Sequence, residues 1–255
     1  MNRIRLEKTR IQENLLSEFK DEALYVFDKI DSTNSFAKAA VKDGTCGSGY
    51  IVAETQHAGR GRGDHTWHSP AMAGIYLSII KTPRVEISRF PSFNLVAAVA
   101  AADSLRNETG VQVSLKWPND LLFEGKKLGG ILLERGDKNA LITGFGLNIN
   151  NTSSDFPGEL KEGATSLHLS SGFFFDRNIL TASLIGSFDS WSKVFEKEPE
   201  KVLYTWKEYT STLGKRVTFH KNGKSGSGIA VDVDHLGFLV VEEENGKAAK
   251  LTTGP

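Results

Sequence analysis

Residues 113–134 read VSLKWPNDLLFEGKKLGGILLE and contain three short apolar runs in close succession. The runs at 113–117, 121–123 and 130–134 have the length and the side-chain types of β-strands. The turn EGKK, residues 124–127, joins the second run to the third as a hairpin. Strands that follow one another in this way, with helices segregated elsewhere, favour an α+β fold over a doubly wound sheet.

The remaining residues up to 212 contain further strands and several helices. Strands are predicted at 24–30, 50–54, 74–80 and 141–148, and 151–163 is predicted to be a loop. Helices are predicted at 4–19, 33–41, 92–107, 177–195 and 199–209. Ser32 or Thr33 is placed to cap the second helix, which Gly44 ends, and the third helix stops before Gly110. We therefore expect a mixed, mostly antiparallel sheet with helices packed on one side.

The composition changes after Leu213. Short strands are predicted at 216–220, 228–233 and 237–242, separated by KNGKSGSG, DHLG and ENGK. This pattern is typical of a small barrel, which we expect to be SH3-like. The predicted organisation is a ligand-binding domain at 1–212 followed by the small barrel at 213–255.

The bulk composition restricts the class of protein. The chain of 255 residues has 31 Lys and Arg against 31 Asp and Glu, so its formal net charge is zero. A mainly electrostatic grip on DNA or an anionic membrane is therefore disfavoured. The single cysteine, Cys46, rules out an intrachain disulfide and fits a reducing compartment. With no apolar run near the ~20 residues that span a bilayer, the sequence predicts a cytoplasmic protein.

A glycine-rich stretch, TQHAGRGRGDHTWHSP at residues 55–70, carries Arg60 and Arg62 between glycines. Guanidinium groups on a loop whose backbone approaches a ligand closely are suited to binding a phosphate. The GK[ST] ending of a Walker A motif is absent. A solvated basic turn and an arginine–glycine tract that touches nucleic acid remain alternatives. Because its like charges have no evident partner, we expect the loop to be disordered until a ligand binds.

The same stretch contains His57, His65, His68 and Asp64, which raises the question of a metal site. Their spacing fits no closed zinc pattern, and no paired cysteine accompanies them. The sequence therefore predicts no metal ion held by the protein alone.

Five motifs in order resemble the biotin protein ligases, also called biotin–carboxylase ligases. They are DSTN at 31–34, GRGRG at 59–63, KWPND at 116–120, KKLGGILLE at 126–134 and GFGLNIN at 144–150. The resemblance is collinear from about Ile30 to the C-terminus. It implies that biotin and ATP, with Mg²⁺, give biotinyl-5′-AMP, and that biotin then passes to one lysine of a biotin carboxyl carrier protein or domain.

The resemblance also implies which residues form the site. Lys127, Arg62 and Asp120 are the implied catalytic residues, with Lys127 reaching both the biotin carboxylate and the phosphate. The implied biotin-binding residues are Ser32, Thr33, Asn34, Gln56, Arg60, Gly61, Arg62, Lys127 and Gly129. The implied ATP-binding residues are Arg60, Arg62, Trp67, Asn119, Lys127 and Asn148.

Considered alone, several of these residues allow a simpler interpretation. Asp120 suits a magnesium ion on the ATP phosphates, a proton acceptor for the incoming amine, or an Asx-type turn cap. Lys127 is by itself an ordinary hairpin lysine, and motif register favours it over Lys126. Ser32 is also a helix cap, and Trp67 also suits core packing.

Two alternative functions remain at this point. A lipoate–protein ligase shares the fold type, although GRGRG and KWPND favour biotin. A nucleic-acid-binding module using the arginine loop and the barrel is disfavoured by the zero net charge. About two dozen residues precede the first predicted strand, too few for a helix-turn-helix domain. We therefore expect a single-function ligase that binds neither nucleic acid nor membrane and is a monomer or weak homodimer.

Overall fold

The computed structural model describes residues 3–221 and 224–252. The α-helices are α1 (Lys8–Asn14), α2 (Thr33–Lys42), α3 (Phe93–Thr109), α4 (Leu167–Ser171), α5 (Arg177–Lys197) and α6 (Pro199–Tyr209). The strands are β1 (Ala23–Phe27), β2 (Gly49–Ala53), β3 (Gly74–Lys81), β4 (Ser114–Lys116), β5 (Asp120–Phe123), β6 (Lys126–Arg135), β7 (Leu141–Asn148), β8 (Arg216–Lys221), β9 (Lys224–Val233), β10 (Leu239–Glu243) and β11 (Ala248–Leu251).

The first seven strands form one sheet in the order β1-β2-β3-β7-β6-β5-β4. β1 and β2 pair parallel, and every other neighbouring pair in this sheet is antiparallel. The predicted α+β class with a mixed, mostly antiparallel sheet is therefore confirmed. β5 and β6 form the hairpin that EGKK predicted, with Glu124 and Gly125 both at positive φ in the turn.

Helices cover both faces of this sheet. Side chains alternate between the faces along each strand, so Val52 and Ile79 join the large core that α3, α5 and α6 complete. Ile51 and Ile80 point the other way and pack against α2. Most helices thus lie on one face, as expected, and α2 adds a layer on the second face. Its N-terminus is one wall of the cavity described below.

Local signals placed the ends of two helices correctly. The Ser32 side chain accepts a hydrogen bond from the Ser35 backbone and caps α2. Gly110, at φ 73°, ends α3 in the left-handed conformation that glycine allows. In the described ranges, none of the helices is both long and apolar enough to cross a membrane.

The predicted N-terminal helix at 4–19 forms only between Lys8 and Asn14. The residues before it are held by a buried ion pair. The Glu54 carboxylate accepts a hydrogen bond from the Leu6 backbone, and the Arg177 guanidinium donates to the Ile4 carbonyl at 2.7 Å. A helix starting at residue 4 would need the Ile4 carbonyl as an acceptor, and here that carbonyl is bound by Arg177.

The last four strands form an antiparallel sheet in the order β11-β10-β9-β8. β9 begins at Lys224, so the stretch SGSG that we interpreted as a turn is part of a strand. Gly228 has no room for a side chain against the Glu242 carbonyl, which explains a glycine inside a strand. β11 was not predicted. Residues 222, 223 and 253–255, and with them parts of the predicted turn and of the C-terminal LTTGP, lie outside the described residues. The domain boundary at 212/213 stays a prediction.

Candidate active site

A cavity of about 580 Å³ opens on the face of the main sheet that α2 covers. The β-hairpin loop at residues 59–67, which we call the glycine loop, forms one side, and the turn after β4 forms another. The predicted site residues on its wall are Ser32, Thr33, Asn34, Gln56, Arg60, Gly61, Arg62, Trp67, Asn119, Asp120 and Lys127. The structure thus brings together residues that are far apart in the sequence.

The end of the cavity beside α2 is a network of short polar side chains. Gln56 Oε1 accepts from the Thr33 backbone at 2.9 Å and from Thr33 Oγ1 at 3.2 Å, and Gln56 Nε2 donates to Ser69 Oγ at 3.0 Å. Ser78 Oγ lies 2.8 Å from Thr33 Oγ1 and 2.5 Å from Asn34 Oδ1. Ser78 was missed from the sequence, although a lone hydroxyl inside the apolar strand YLSII was a usable signal. This network fixes the side chains before any ligand arrives.

The floor of the cavity is formed by glycines on β6 and β7. The Trp67 indole lies against them: a Cβ added at Gly146 would stand 2.5 Å from Trp67 Cε2, and one at Gly130 would stand 3.2 Å from Cζ3. Trp67 Nε1 is buried and has no hydrogen-bond partner in the part of the chain that the structure describes. Trp67 is therefore a wall of the cavity and holds an unused donor there.

Charged groups stand opposite the polar end. Lys127 Nζ lies 2.7 Å from Asp120 Oδ1 and 5.7 Å from the centroid of the Trp67 ring. β5 and β6 are neighbours in the sheet and present these side chains to the same space. The Lys127 backbone is itself fixed, since its N–H donates to the Gly163 carbonyl at 2.7 Å and its carbonyl accepts from Thr165 at 2.9 Å. The lysine is thus directed by both strand pairing and a carboxylate.

The turn of the KWPND motif is held from two directions. Asn119 Nδ2 donates to the Ile131 carbonyl at 2.7 Å, which ties the turn to β6. Trp117 Nε1 donates to the Gly237 carbonyl at 3.0 Å, which ties it to the turn between β9 and β10. The Trp117–Pro118 peptide bond is cis. The four-stranded sheet therefore touches the same turn that presents Asp120.

The glycine loop is internally bonded. Gly61 donates its backbone N–H to the His65 carbonyl at 2.7 Å, and Trp67 donates to the Gly59 carbonyl at 2.8 Å. Arg60 Nη1 and Nη2 lie 3.0 and 3.1 Å from the two carboxylate oxygens of Glu134. The expectation that Arg60 lacks a partner was therefore wrong, because its partner is 74 residues away in the sequence.

Glu134 is a site residue that we did not single out from the sequence. It also accepts hydrogen bonds from Asn34 Nδ2 and Lys38 Nζ, both at 3.0 Å. Burial alone would raise the pKa of Glu134, but the hydrogen bonds from Asn34 and Lys38 and the charge of Arg60 outweigh it and lower that pKa. Alternation along β6 puts Glu134 on the same face as Gly130, which was the available clue.

The predicted residues Gly129 and Asn148 are not on the cavity wall. The side-chain position of Gly129 points at Leu147, 2.6 Å from its Cδ2, while the next residue, Gly130, lines the cavity. Asn148 is buried at the end of β7, opposite Gly74. Their roles in ligand binding stay predictions.

Comparisons with known proteins show which family the chain resembles. Residues 26–150 match the Biotin/lipoate A/B protein ligase family, and residues 212–254 match the Biotin protein ligase C terminal domain. The bifunctional ligase/repressor BirA of Bacillus spizizenii is 32% identical over 249 residues, 95% of this chain and 76% of that protein. The biotin–[acetyl-CoA-carboxylase] ligase of Mycobacterium tuberculosis is 31% identical over 225 residues, 86% of this chain and 83% of that protein.

A solved structure shows the same similarity. The biotin protein ligase of Aquifex aeolicus in complex with biotin and ATP has a TM-score of 0.79 at 28% identity and covers 91% of this chain and 96% of its own. With the sheet, the cavity and these matches together, the chain belongs to the biotin/lipoate A/B protein ligase family. Within that family the C-terminal match points to the biotin protein ligases.

Proposed function

We propose that the protein is an ATP-dependent biotin protein ligase. It joins biotin and ATP into biotinyl-5′-AMP and then transfers the biotinyl group to a lysine of a carrier protein. One observation carries this proposal. At one end of the cavity Thr33 and Gln56 are hydrogen-bonded to each other, and at the other end Lys127 is held by its ion pair with Asp120. The family match and the relatives named as biotin ligases support it.

The polar end suits the ureido ring of biotin, which offers two N–H donors and one carbonyl acceptor. Ser32, Thr33, Asn34 and Gln56 supply short donors and acceptors there, and the Trp67 ring with the glycine floor supplies an apolar surface for the rest of the molecule. Backbone groups at Gly61 border the same space. Biotin would thus lie with its carboxylate toward Lys127.

In the first half-reaction a carboxylate oxygen of biotin attacks the α-phosphorus of ATP, and pyrophosphate leaves with the bonding electron pair. Both reactants are anions, so the step needs cations in fixed positions. We assign this task to Lys127 and Arg62, which line the cavity; the 2.7 Å contact between Lys127 Nζ and Asp120 supports the role of the lysine. Asn119 and Trp67 line the part of the cavity where we expect the nucleotide. Asn148 is also predicted to contribute to nucleotide binding, although it does not line the cavity.

Asp120 also fits as the single carboxylate on a magnesium ion carried by the ATP phosphates, where the ion would neutralise phosphate charge. In the described part of the chain, no group of three or more His, Cys, Asp or Glu is arranged to hold a metal ion alone. In the second half-reaction the carrier lysine attacks the anhydride carbonyl, and AMP leaves. The other role we assign to Asp120 is to accept the proton that the amine loses in this step.

The protein substrate is a biotin carboxyl carrier protein or domain, which the names of the carboxylase-ligase relatives support. We extend the proposal to a cytoplasmic enzyme that is a monomer or weak homodimer and binds neither nucleic acid nor membrane. A gel-shift assay with biotin and ATP present tests the nucleic-acid part. Sequence-specific retardation of a promoter fragment would contradict it.

The central test is a reconstituted reaction with purified protein, ATP, Mg²⁺, biotin and a biotin carboxyl carrier domain. We expect biotin-dependent pyrophosphate release and a mass gain of one biotinyl group on the carrier. A carrier with its acceptor Lys→Arg is the matched control and should stay unmodified. Lipoate in place of biotin addresses the alternative: preferential transfer of lipoate would reassign the protein as a lipoate–protein ligase.

A further inference from the structure

Arg60 and Glu134 form an ion pair between the glycine loop and the main sheet. The two guanidinium nitrogens meet the two carboxylate oxygens at 3.0 and 3.1 Å, which is the parallel two-bond geometry that arginine forms with carboxylates. The Arg60 side chain is 41% exposed and that of Glu134 is 12% exposed. The pair therefore sits at the mouth of the cavity, with its carboxylate on the protein side.

Glu134 is a fixed receptor for this arginine. It lies on β6, which is paired with β7 along this stretch, and Asn34 and Lys38 from α2 hold its carboxylate. Asn34 is in turn held by Ser78 and by the Leu132 carbonyl. The backbone hydrogen bonds at 59–67 that the structure describes join residues of the glycine loop to one another. The Arg60–Glu134 pair adds a charged link from the loop to β6, beside the packing of Trp67 on Gly130 and Gly146.

We propose that the Arg60–Glu134 pair is a latch that holds the glycine loop closed over the bound ligand, with Glu134 as a positioning residue. The identity of the ligand, biotinyl-5′-AMP, rests on the proposed function. The existence of the latch does not. It changes the role assigned to Arg60. Its guanidinium acts on the protein, while its backbone borders the ligand.

A latch of this kind affects how long a ligand stays more than how fast it enters. Opening the loop requires breaking the pair, so loss of either partner should raise the dissociation rate. The two substitutions act on one contact, so their effects should not add. An arginine that bound the phosphate directly would behave differently, because removing Glu134 would leave that arginine more available to the ligand.

The test is a double-mutant cycle with Arg60→Met, Glu134→Gln and the double variant. We expect the dissociation rate of biotinyl-5′-AMP to rise roughly tenfold in each single variant, the scale of one lost charge-assisted contact, and no further in the double variant. Arg216→Met is the matched control. It removes an arginine from a surface pair with Glu244 in the four-stranded sheet, away from the loop, and it should leave the dissociation rate unchanged.

A second readout needs no ligand and no activity. Amide hydrogen exchange at residues 60–67 of the free protein should be faster in Arg60→Met and Glu134→Gln alike, and unchanged in Arg216→Met. The latch is overturned if Glu134→Gln leaves both the dissociation rate and the exchange unchanged, or if the two single effects add. Failure of the wild type to bind biotin or its adenylate would instead overturn the proposed function, and the exchange data would still decide the latch.

Discussion

Two arginine–glutamate pairs hold the glycine loop, one at its base where the chain joins the sheet and one at its tip, and they differ in burial. At the base, Glu54 and Arg177 are almost fully buried. Glu54 Oε2 accepts from the Met72 backbone at 3.1 Å, and Arg177 Nη1 donates to the Gly74 carbonyl at 3.0 Å. This pair therefore joins the chain just after β2, the chain just before β3 and the N-terminal segment to one point.

At the tip, the Arg60 side chain is partly exposed, and the Arg60–Glu134 pair joins the glycine loop to β6. Burial decides what each pair can do. Removing one partner of a buried pair leaves an unpaired charge in the interior, which is strongly destabilising. The Arg60–Glu134 pair has one partly exposed partner, so it costs less to open than the buried pair. The comparison suggests that the base pair maintains the fold and the tip pair controls the ligand.

The largest effect is expected from Arg177→Met, which leaves the Glu54 carboxylate buried without its guanidinium. The free energy of unfolding should fall by about 3–5 kcal/mol, and the melting temperature should drop by roughly 10 °C. Thermal unfolding followed by circular dichroism measures this. Arg216→Met is the matched control, since Arg216 pairs with Glu244 at the surface and should leave the melting temperature unchanged. If Arg177→Met and Arg216→Met had the same melting temperature, burial would not distinguish the Arg177–Glu54 pair from an exposed ion pair.

Lys127→Ala should have the next largest effect, and on rate rather than on stability. Lys127 is 42% exposed, so the fold should be kept, while loss of its contact to the reacting anions should slow adenylate formation about 100- to 1,000-fold. Pyrophosphate release in single turnover measures this. Lys126→Ala, at the exposed neighbouring residue, is the control for a lysine that only solvates the hairpin. Wild-type release from the Lys127 variant would remove this residue from the mechanism.

The smallest effect concerns pH and the tip pair. The pKa of Glu134 in the folded protein lies below the ordinary value of 4.5, so its carboxylate stabilises the fold above about pH 4.5 and this contribution is lost as the pH falls through the folded pKa. The melting-temperature difference between the wild type and Glu134→Gln should thus be constant from pH 5 to 8 and shrink in more acidic solution. A difference that grows toward low pH would contradict the assignment of the lowered pKa.

Sequence reasoning succeeded where the cause is local. The cap at Ser32, the end of α3 at Gly110 and the hairpin turn at Gly125 each depend on a few adjacent residues. It failed where the partner is remote. Residues 4–6 lie outside the helix, and Glu54 and Arg177 bind the backbone of Leu6 and Ile4.

The site shows the same division. The motifs named most of the residues around the cavity, but Ser78 and Glu134 belong to it through contacts with Thr33, Asn34 and Arg60. No local pattern encodes those contacts, because each depends on strand order and register. Gly129 was selected by the motif, whereas strand alternation puts Gly130 on the cavity side.

The close approach of Trp67 to Gly146 has an evolutionary consequence. A methyl group at residue 146 would stand 2.5 Å from the indole, so alanine there is tolerated only if the ring moves or is replaced by something smaller. The two positions should therefore change together or not at all in the history of this lineage. Each tolerated pair of residues would change the shape of the cavity floor. Residues 67 and 146 are therefore expected to covary, although they lie on different segments of the chain.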